Sequence, residues 1–282
     1  MTQSRPAILS NRIDQLFART REEDRAALVL YITAGFPTMQ TTIDLLPILA
    51  EAGCDLLELG VPFSDPIADG PVIQRASTIA LNAGASFPKI LDALKDFRAI
   101  SEIPVVLFGA LNPFLIRGLE QTANRAVECG ADGFLAADVP LEESDEFRAL
   151  LAAKGLHLIT LVAPTTPGAR IREISDRSSG FLYCISYKGV TGKGSAPAPG
   201  VFRREAEAYL QKVRAHSDLP LALGFGIRAP QDVRDAVDAG AEGVVVGTAL
   251  INVIEEATNS GADVKQVVGD YVRSLAAELK RR

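Results

Sequence analysis

The chain has 282 residues, of which 48% are hydrophobic, and it carries a formal net charge of −6. This length suits one large or two average domains, and the negative charge argues against nucleic acid or an anionic membrane as the main partner. The N-terminal segment lacks the apolar core of a signal peptide, and no apolar stretch approaches the ~20 residues that span a bilayer. We therefore expect a soluble, cytoplasmic protein.

The three cysteines, Cys54, Cys129 and Cys184, are an odd number without CxxC spacing. Such a pattern predicts buried free thiols in a reducing compartment rather than a disulfide or a metal site.

Eight apolar runs alternate with helical patterns along the chain. The runs span 27–33, 55–61, 104–111, 133–139, 157–164, 180–186, 220–226 and 242–250. Apolar residues at consecutive positions indicate strands buried on both faces, as in a parallel sheet covered by helices. No terminal strand has a polar edge, which favours a closed barrel over an open sheet. We predict an α/β fold with one domain over 1–282, a (β/α)8 TIM barrel with an extra N-terminal helix in 10–20 that can plug the N-terminal mouth.

The segment LELGVPFSDPIADGP (57–71) places carboxylates at the end of the second strand and in the loop that follows. If Leu57 and Leu59 face the helices, Glu58 points into the barrel's C-terminal mouth, where such barrels carry their catalytic groups. Burial would raise the pKa of Glu58 toward the range that general acid–base catalysis needs. The alternative is a structural Glu paired with an Arg or a backbone N–H. Asp69 precedes Gly-Pro, so a tight turn can aim it over the mouth; the alternative is an Asx turn or a cap for the next helix.

Two further acids and both histidines occupy informative positions. Asp65 precedes a proline and is predicted to shape the loop, whereas Asp138, at the end of the fourth strand, is assigned a supporting, substrate-binding role. His157 and His216 fall at the N-terminal face, so we expect no catalytic zinc site. Residue types alone leave a Mg²⁺ site among the mouth carboxylates open.

Glycines close the last two strands, in LGFGI (223–227) and VVGTAL (245–250). Paired loops after the seventh and eighth strands, with a helix N-terminus, form a recurrent phosphate site in such barrels. The glycine-containing segment 187–200 after the sixth strand predicts a mobile lid, with a plain disordered loop as the alternative.

Together LELGVPFSDPIADGP, ADVPLEES, GVTG, GFGI and VVGTA resemble the tryptophan synthase alpha subunit family, in the right order from about residue 27 onward. The resemblance implies a carbon–carbon lyase that cleaves indole-3-glycerol phosphate to indole and glyceraldehyde 3-phosphate. It also implies an alpha2-beta2 heterotetramer, in which the beta subunit receives indole and carries pyridoxal phosphate. The alpha chain itself then needs no cofactor and no metal.

The resemblance further implies roles for individual residues. Glu58 would shuttle protons, and Asp69 would hold the indole N–H and stabilise the indoleninium charge. Tyr183 would help to shape the site, and Thr191 would contact the catalytic Asp from the lid. The implied phosphate-binding residues are Gly192, Gly226, Gly247 and Thr248.

Three positions depart from the family pattern. Ala110 and Leu111 stand where many relatives carry Tyr beside Asn-Pro, and Tyr187 stands where Arg is usual. These changes bear on the indole pocket, beta-subunit contact and lid closure, and they leave the acid–base pair untouched.

Two other functions stay open at the level of sequence. One is a Schiff-base aldolase on the same barrel, with Lys188 as the amine. The other is a non-catalytic subunit that binds a phosphate ester and regulates a partner enzyme.

Overall fold

The computed structural model describes residues 10–185, 201–224 and 226–281. Within these ranges nine strands form one parallel sheet in the spatial order β5-β4-β3-β2-β1-β9-β8-β7-β6. The strands are β1 (Ala27–Thr33), β2 (Leu56–Gly60), β3 (Val105–Gly109), β4 (Gly133–Ala136), β5 (His157–Leu158), β6 (Thr160–Val162), β7 (Leu182–Ile185), β8 (Leu221–Gly224) and β9 (Gly243–Val246).

The two ends of this sheet meet in the fifth predicted strand. Only Ile159 separates β5 from β6; β5 pairs with β4 and β6 pairs with β7. One extended segment therefore bridges both ends of the sheet and closes it into a barrel. The predicted barrel of eight strands is confirmed, with its fifth strand split in two.

Twelve helices of the described residues surround the sheet. They are α1 (Arg12–Glu22), α2 (Met39–Glu51), α3 (Pro71–Asn82), α4 (Phe87–Arg98), α5 (Leu111–Leu115), α6 (Leu119–Glu128), α7 (Asp145–Ala152), α8 (Gly168–Arg177), α9 (Val201–Arg214), α10 (Pro230–Asp238), α11 (Thr248–Ser260) and α12 (Val264–Ala276). A short 3-10 turn covers Leu141–Glu143. None of the helices in the described ranges combines the length and apolarity that a membrane crossing requires.

The last strand is shorter than the sequence predicts. The apolar run covers 242–250, but β9 ends at Val246 and α11 begins at Thr248. The apolar residues Ala249 and Leu250 belong to the buried face of that helix, together with Ile254. A short apolar run does not distinguish a strand from the first turn of a buried helix.

Helix α1 closes the N-terminal mouth of the barrel, as predicted. Its Ile13, Leu16 and Phe17 are buried against side chains that point inward from the strands, and the ring of Phe17 lies 5.5 Å from that of Phe181. His157 Nε2 lies 2.9 Å from a carboxylate oxygen of Asp14 on the same helix. The helix is thus fixed to the barrel floor by both apolar and polar contacts.

Carboxylates directly before three strands hold neighbouring strands in register at this face. Each accepts a backbone N–H of the adjacent strand: Asp55 from Leu28 (2.9 Å), Asp132 from Val105 (2.9 Å) and Glu242 from Leu221 (3.1 Å). Asp132 also pairs with Arg12 and Arg98. The three cysteines are buried and free, as predicted.

Candidate active site

The alternation of side chains along β2 directs Glu58 into the barrel. Leu57 and Leu59 pack in the outer core between sheet and helices, whereas Leu56 belongs to the inner cluster. Glu58 has no solvent exposure, and its partners in the strand register are Tyr31 of β1 and Val106 of β3. The predicted orientation of Glu58 is confirmed.

Glu58 is buried without compensation from the described residues. Neither carboxylate oxygen of Glu58 has a hydrogen-bond partner in that part of the chain. Burial disfavours the charged form and raises the pKa of Glu58 to about 8. The alternative of a Glu paired with an Arg or a backbone N–H is therefore wrong for the described ranges. At neutral pH this group is a carboxylic acid that can donate a proton.

Asp69 lies on the loop between β2 and α3, where it is partly buried. Its turn is fixed through main-chain atoms: Asp69 N donates to Pro66 O (3.0 Å), and Gln74 Nε2 donates to Asp69 O (2.9 Å). Gly70 is the N-cap residue of α3, which has no side-chain cap. The capping alternative for Asp69 is therefore wrong. Burial raises the pKa of the Asp69 carboxyl to about 6, so at neutral pH this group is mostly ionised.

A pocket lies beside Asp69 at the C-terminal mouth. It is lined by the β2–α3 loop and by the ends of β3 and β4, including Phe63, Ala110 and Asp138. Asp138 accepts a hydrogen bond from Leu111 N (2.8 Å), at the start of α5. Asp138 therefore ties the β3 and β4 loops together in the pocket wall, which fits its predicted supporting role.

Asp65 also lines this pocket and accepts a hydrogen bond from the hydroxyl of its neighbour Ser64 (2.7 Å). This local contact agrees with its predicted loop-shaping role.

Three aromatic rings form the inner wall of the mouth. Tyr31 and Phe108 have ring centroids 5.3 Å apart, and Phe108 and Tyr183 have centroids 6.4 Å apart, both pairs edge to face. A Cβ on Gly60 would collide with the hydroxyl of Tyr31, and one on Gly224 would collide with that of Tyr183. The glycines that end β2 and β8 thus make room for the two phenols.

Sequence reasoning missed Tyr31 and Phe108. The signal was available, because Tyr31 follows the inward residue Val29 by two positions and Phe108 follows Val106 by two. Alternation along each strand places both rings on the inner side.

The last two strands end where a phosphate site was predicted. Gly226 follows β8 with φ of 83°, a left-handed conformation that favours glycine. Gly247 directly follows β9 as the N-cap residue of α11, and a Cβ there would lie 3.2 Å from the Cβ of Tyr31. Thr248 is the exposed first residue of α11, which has no side-chain cap. Uncapped N–H groups at a helix N-terminus suit a bound anion.

Several predicted positions lie outside the described residues: Tyr187, Lys188, Thr191, Gly192 and the remainder of the predicted lid over 187–200. Within the described ranges, no group of three or more His, Cys, Asp or Glu side chains is arranged to hold a metal ion.

Comparison with known proteins gives a consistent result. The family model described as tryptophan synthase alpha chain matches residues 17–280. The tryptophan synthase alpha chain of Geotalea uraniireducens is 44% identical over 96% of this chain and 98% of its own. That of Geobacter sulfurreducens is 43% identical over 94% of this chain and 97% of its own.

Solved structures agree with these sequence matches. The crystal structure of tryptophan synthase subunit alpha from Legionella pneumophila superposes with a TM-score of 0.88 at 38% identity, covering 96% of this chain and 98% of its own. A chain of tryptophan synthase from M. tuberculosis, in an aminoacrylate-bound form, superposes with a TM-score of 0.83 at 28% identity, covering 96% of this chain and 100% of its own.

Proposed function

Since the chain belongs to the tryptophan synthase alpha chain family, we propose that it is a lyase that cleaves indole-3-glycerol phosphate to indole and glyceraldehyde 3-phosphate. The observation that carries the proposal is the pair of carboxyl groups at the barrel mouth with separated pKa values, about 8 for Glu58 and about 6 for Asp69. Between these values Glu58 is a neutral acid that can donate a proton, and Asp69 is a carboxylate that can stabilise positive charge.

Glu58 supplies the proton that the leaving indole needs. The bond between indole C3 and the glycerol chain breaks only after C3 is protonated, because indole must depart as a neutral arene. The Glu58 carboxyl donates that proton and becomes a carboxylate. The carboxylate then accepts the proton of the adjacent glycerol hydroxyl as this carbon becomes the aldehyde, which returns Glu58 to its starting form.

Asp69 stabilises the charge that protonation creates. Its carboxylate accepts a hydrogen bond from the indole N–H and faces the positive charge of the indoleninium. Partial burial strengthens this interaction because little water screens it. No step requires an organic cofactor or a metal, so we propose that the chain works without either.

The phosphate group of the substrate binds at the ends of β9 and β8, which follow β1 on its side away from β2. Backbone N–H groups near Gly226 and Gly247 and the N-terminus of α11 are its proposed ligands, with Thr248 as a hydroxyl donor. Anchoring the phosphate there orients the glycerol chain across the barrel toward Glu58 and the indole toward Asp69.

We also propose that a beta chain docks on the rim of this mouth. Ile67 in the β2–α3 loop is 89% exposed, and Ile116 just after α5 is 80% exposed, with Leu115 beside it at 41%. Exposed apolar side chains concentrated at one rim suit a protein partner. Docking there would cover the indole side of the site and allow indole to pass directly to that partner, in an alpha2-beta2 assembly.

The deciding experiment measures indole release from indole-3-glycerol phosphate, with and without a tryptophan synthase beta chain. We expect slow release by the isolated chain and faster release with the partner. Ile67→Asp and Ile116→Asp should abolish the acceleration, whereas Ile100→Asp, 69% exposed after α4 at the opposite face, should preserve it. Failure to release indole under both conditions would refute the proposed activity. Borohydride trapping of a Schiff base with substrate would instead support the aldolase alternative.

A further inference from the structure

We propose that the hydroxyl of Tyr31 is a positioning residue for Glu58: it turns from Thr33 to donate a hydrogen bond to the Glu58 carboxylate each time that group gives up its proton. This inference rests on the proposed function, in which Glu58 alternates between acid and carboxylate. The barrel mouth suits the acid form of Glu58 better than its carboxylate form. The acid form of Glu58 tolerates a dry environment, but the carboxylate formed in the reaction needs a donor.

The strand register identifies the donor. Glu58 has two lateral neighbours on the inner face of the sheet, Tyr31 on β1 and Val106 on β3. Laterally paired residues of adjacent strands project from the same face and lie close together. Of these two neighbours only Tyr31 carries a polar group. Its ring is held by edge-to-face contact with Phe108, and its hydroxyl lies over Gly60, two residues beyond Glu58 on the same side of β2.

The hydroxyl of Tyr31 is held loosely at present. It lies 3.3 Å from Thr33 Oγ1, and either oxygen can be the donor. Hydroxyl–hydroxyl bonds are usually about 2.7–2.8 Å, so this one is weak and readily exchanged. Both side chains are buried, at 7% exposure for Tyr31 and 1% for Thr33, so solvent does not compete for the phenolic proton.

Other groups near Glu58 are less suited to this role. Asp69 and Cys54 are the remaining acidic groups on β2 and its flanking loops that interact electrostatically with Glu58 or Tyr31. Asp69 is mostly a carboxylate at neutral pH and then has no proton to donate, and the Cys54 thiol, whose pKa burial raises, already donates to Leu56 O (3.1 Å). From β7, Tyr183 also interacts with Glu58, but its hydroxyl lies over Gly224 of β8. Within the described residues, Tyr183 is therefore the rival that the experiment must separate from Tyr31.

The test is a pH profile of indole release for Tyr31→Phe. Loss of a donor to the carboxylate raises the pKa of Glu58, so the alkaline limb of kcat should move up by about one pH unit. The maximal kcat should fall about 10-fold, because the carboxylate forms without its donor, while KM stays near the parental value. Thr33→Val should leave the alkaline limb within a few tenths of a pH unit of the parent, since Thr33 only holds the Tyr31 hydroxyl while Glu58 is protonated. Tyr209→Phe, which loses a buried hydroxyl bonded to Val162 O outside the barrel, should match the parent.

A second readout makes the test independent of turnover. Protein labelled with 13C at glutamate carboxyls, with Glu58→Gln used for assignment, reports the titration of Glu58 by NMR. Tyr31→Phe should raise that midpoint by about one unit. An unchanged midpoint, or a shift produced by Tyr183→Phe and not by Tyr31→Phe, would overturn the proposal. If the parent released no indole but the midpoint moved as expected, the proposed reaction would fail and the hydrogen bond would stand.

Discussion

Glu58→Gln separates the catalytic role of this residue from its effect on stability. The substitution keeps the shape of the side chain but removes its ability to exchange a proton near neutral pH. General acid–base catalysis contributes about 10²–10⁴-fold, so indole release should fall by at least about 100-fold. Binding of glycerol phosphate should be unchanged, because the proposed phosphate ligands lie at the ends of β8 and β9.

The same substitution should stabilise the folded chain. The pKa of Glu58 rises from 4.5 to about 8 on folding, because the barrel buries the carboxyl without a partner among the described residues. At pH 7 the unfolded chain ionises this group and the folded chain does not, which costs the parent about 3 kcal/mol of stability. The cost is absent below pH 4.5, grows as pH rises, and levels off above pH 8. The amide introduced by Glu58→Gln would avoid this cost, at the smaller cost of burying a neutral polar group.

Urea unfolding of parent and variant at pH 5 and pH 8 measures this difference. The free energy of unfolding of Glu58→Gln, relative to that of the parent, should increase by about 3–4 kcal/mol between the two pH values. Glu51→Gln, an exposed Glu at the end of α2, is the matched control and should show no such trend. Near-parental indole release by Glu58→Gln would refute its catalytic role. A gap that does not grow with pH would refute the reasoning that burial keeps the Glu58 carboxyl protonated in the folded chain.

Three further predictions concern other parts of the molecule. The pH profile of kcat/KM for the parent should be bell-shaped, with an acid limb near pH 6 from Asp69 and an alkaline limb near pH 8 from Glu58. Asp69→Asn should lower the rate of indole release about 10²–10³-fold and remove the acid limb. Gly226→Val should weaken binding of glycerol phosphate measured by calorimetry, since φ of 83° is strained for a β-branched residue; equal affinity would contradict the phosphate site. Asp132→Ala should lower the free energy of unfolding by about 3–5 kcal/mol, because it leaves the largely buried Arg98 without its carboxylate. Glu102→Ala, at the exposed end of the same network, should change the free energy of unfolding little. Similar effects of the two substitutions would argue against a structural role for Asp132.

A difference in burial explains why the pKa values of the two acids in the site rise by different amounts. Glu58 lies on β2, which pairs with β1 on one side and with β3 on the other, so its carboxyl is fully buried and its pKa rises strongly. Asp69 lies on a loop that reaches partly into solvent, and burial shifts its pKa less. Two carboxyl groups close in sequence thereby obtain opposite protonation states at neutral pH.

The sequence by itself determined the barrel, the plugging helix and the positions of Glu58 and Asp69. Consecutive apolar runs require strands covered on both faces, and alternation within LLELG forces Glu58 to the side away from Leu57 and Leu59. Those properties are local and periodic, so they can be deduced before any contact is known. The end of β9 was misjudged because residues 248–250 are compatible with a strand and with a buried helix alike.

Only the tertiary structure decided the protonation states of the carboxyl groups in the site. Within the described residues Glu58 has no hydrogen-bond partner, Asp138 accepts a hydrogen bond from Leu111 N, and the Tyr31 hydroxyl lies over Gly60. Each of these facts depends on how segments distant in the chain, or on different strands, come together. Sequence patterns specify which face a residue occupies, but not which groups from other strands share that face or how much water they exclude. A pKa depends on those neighbours and on that exclusion, so the protonation states that the reaction needs arise only when the barrel closes.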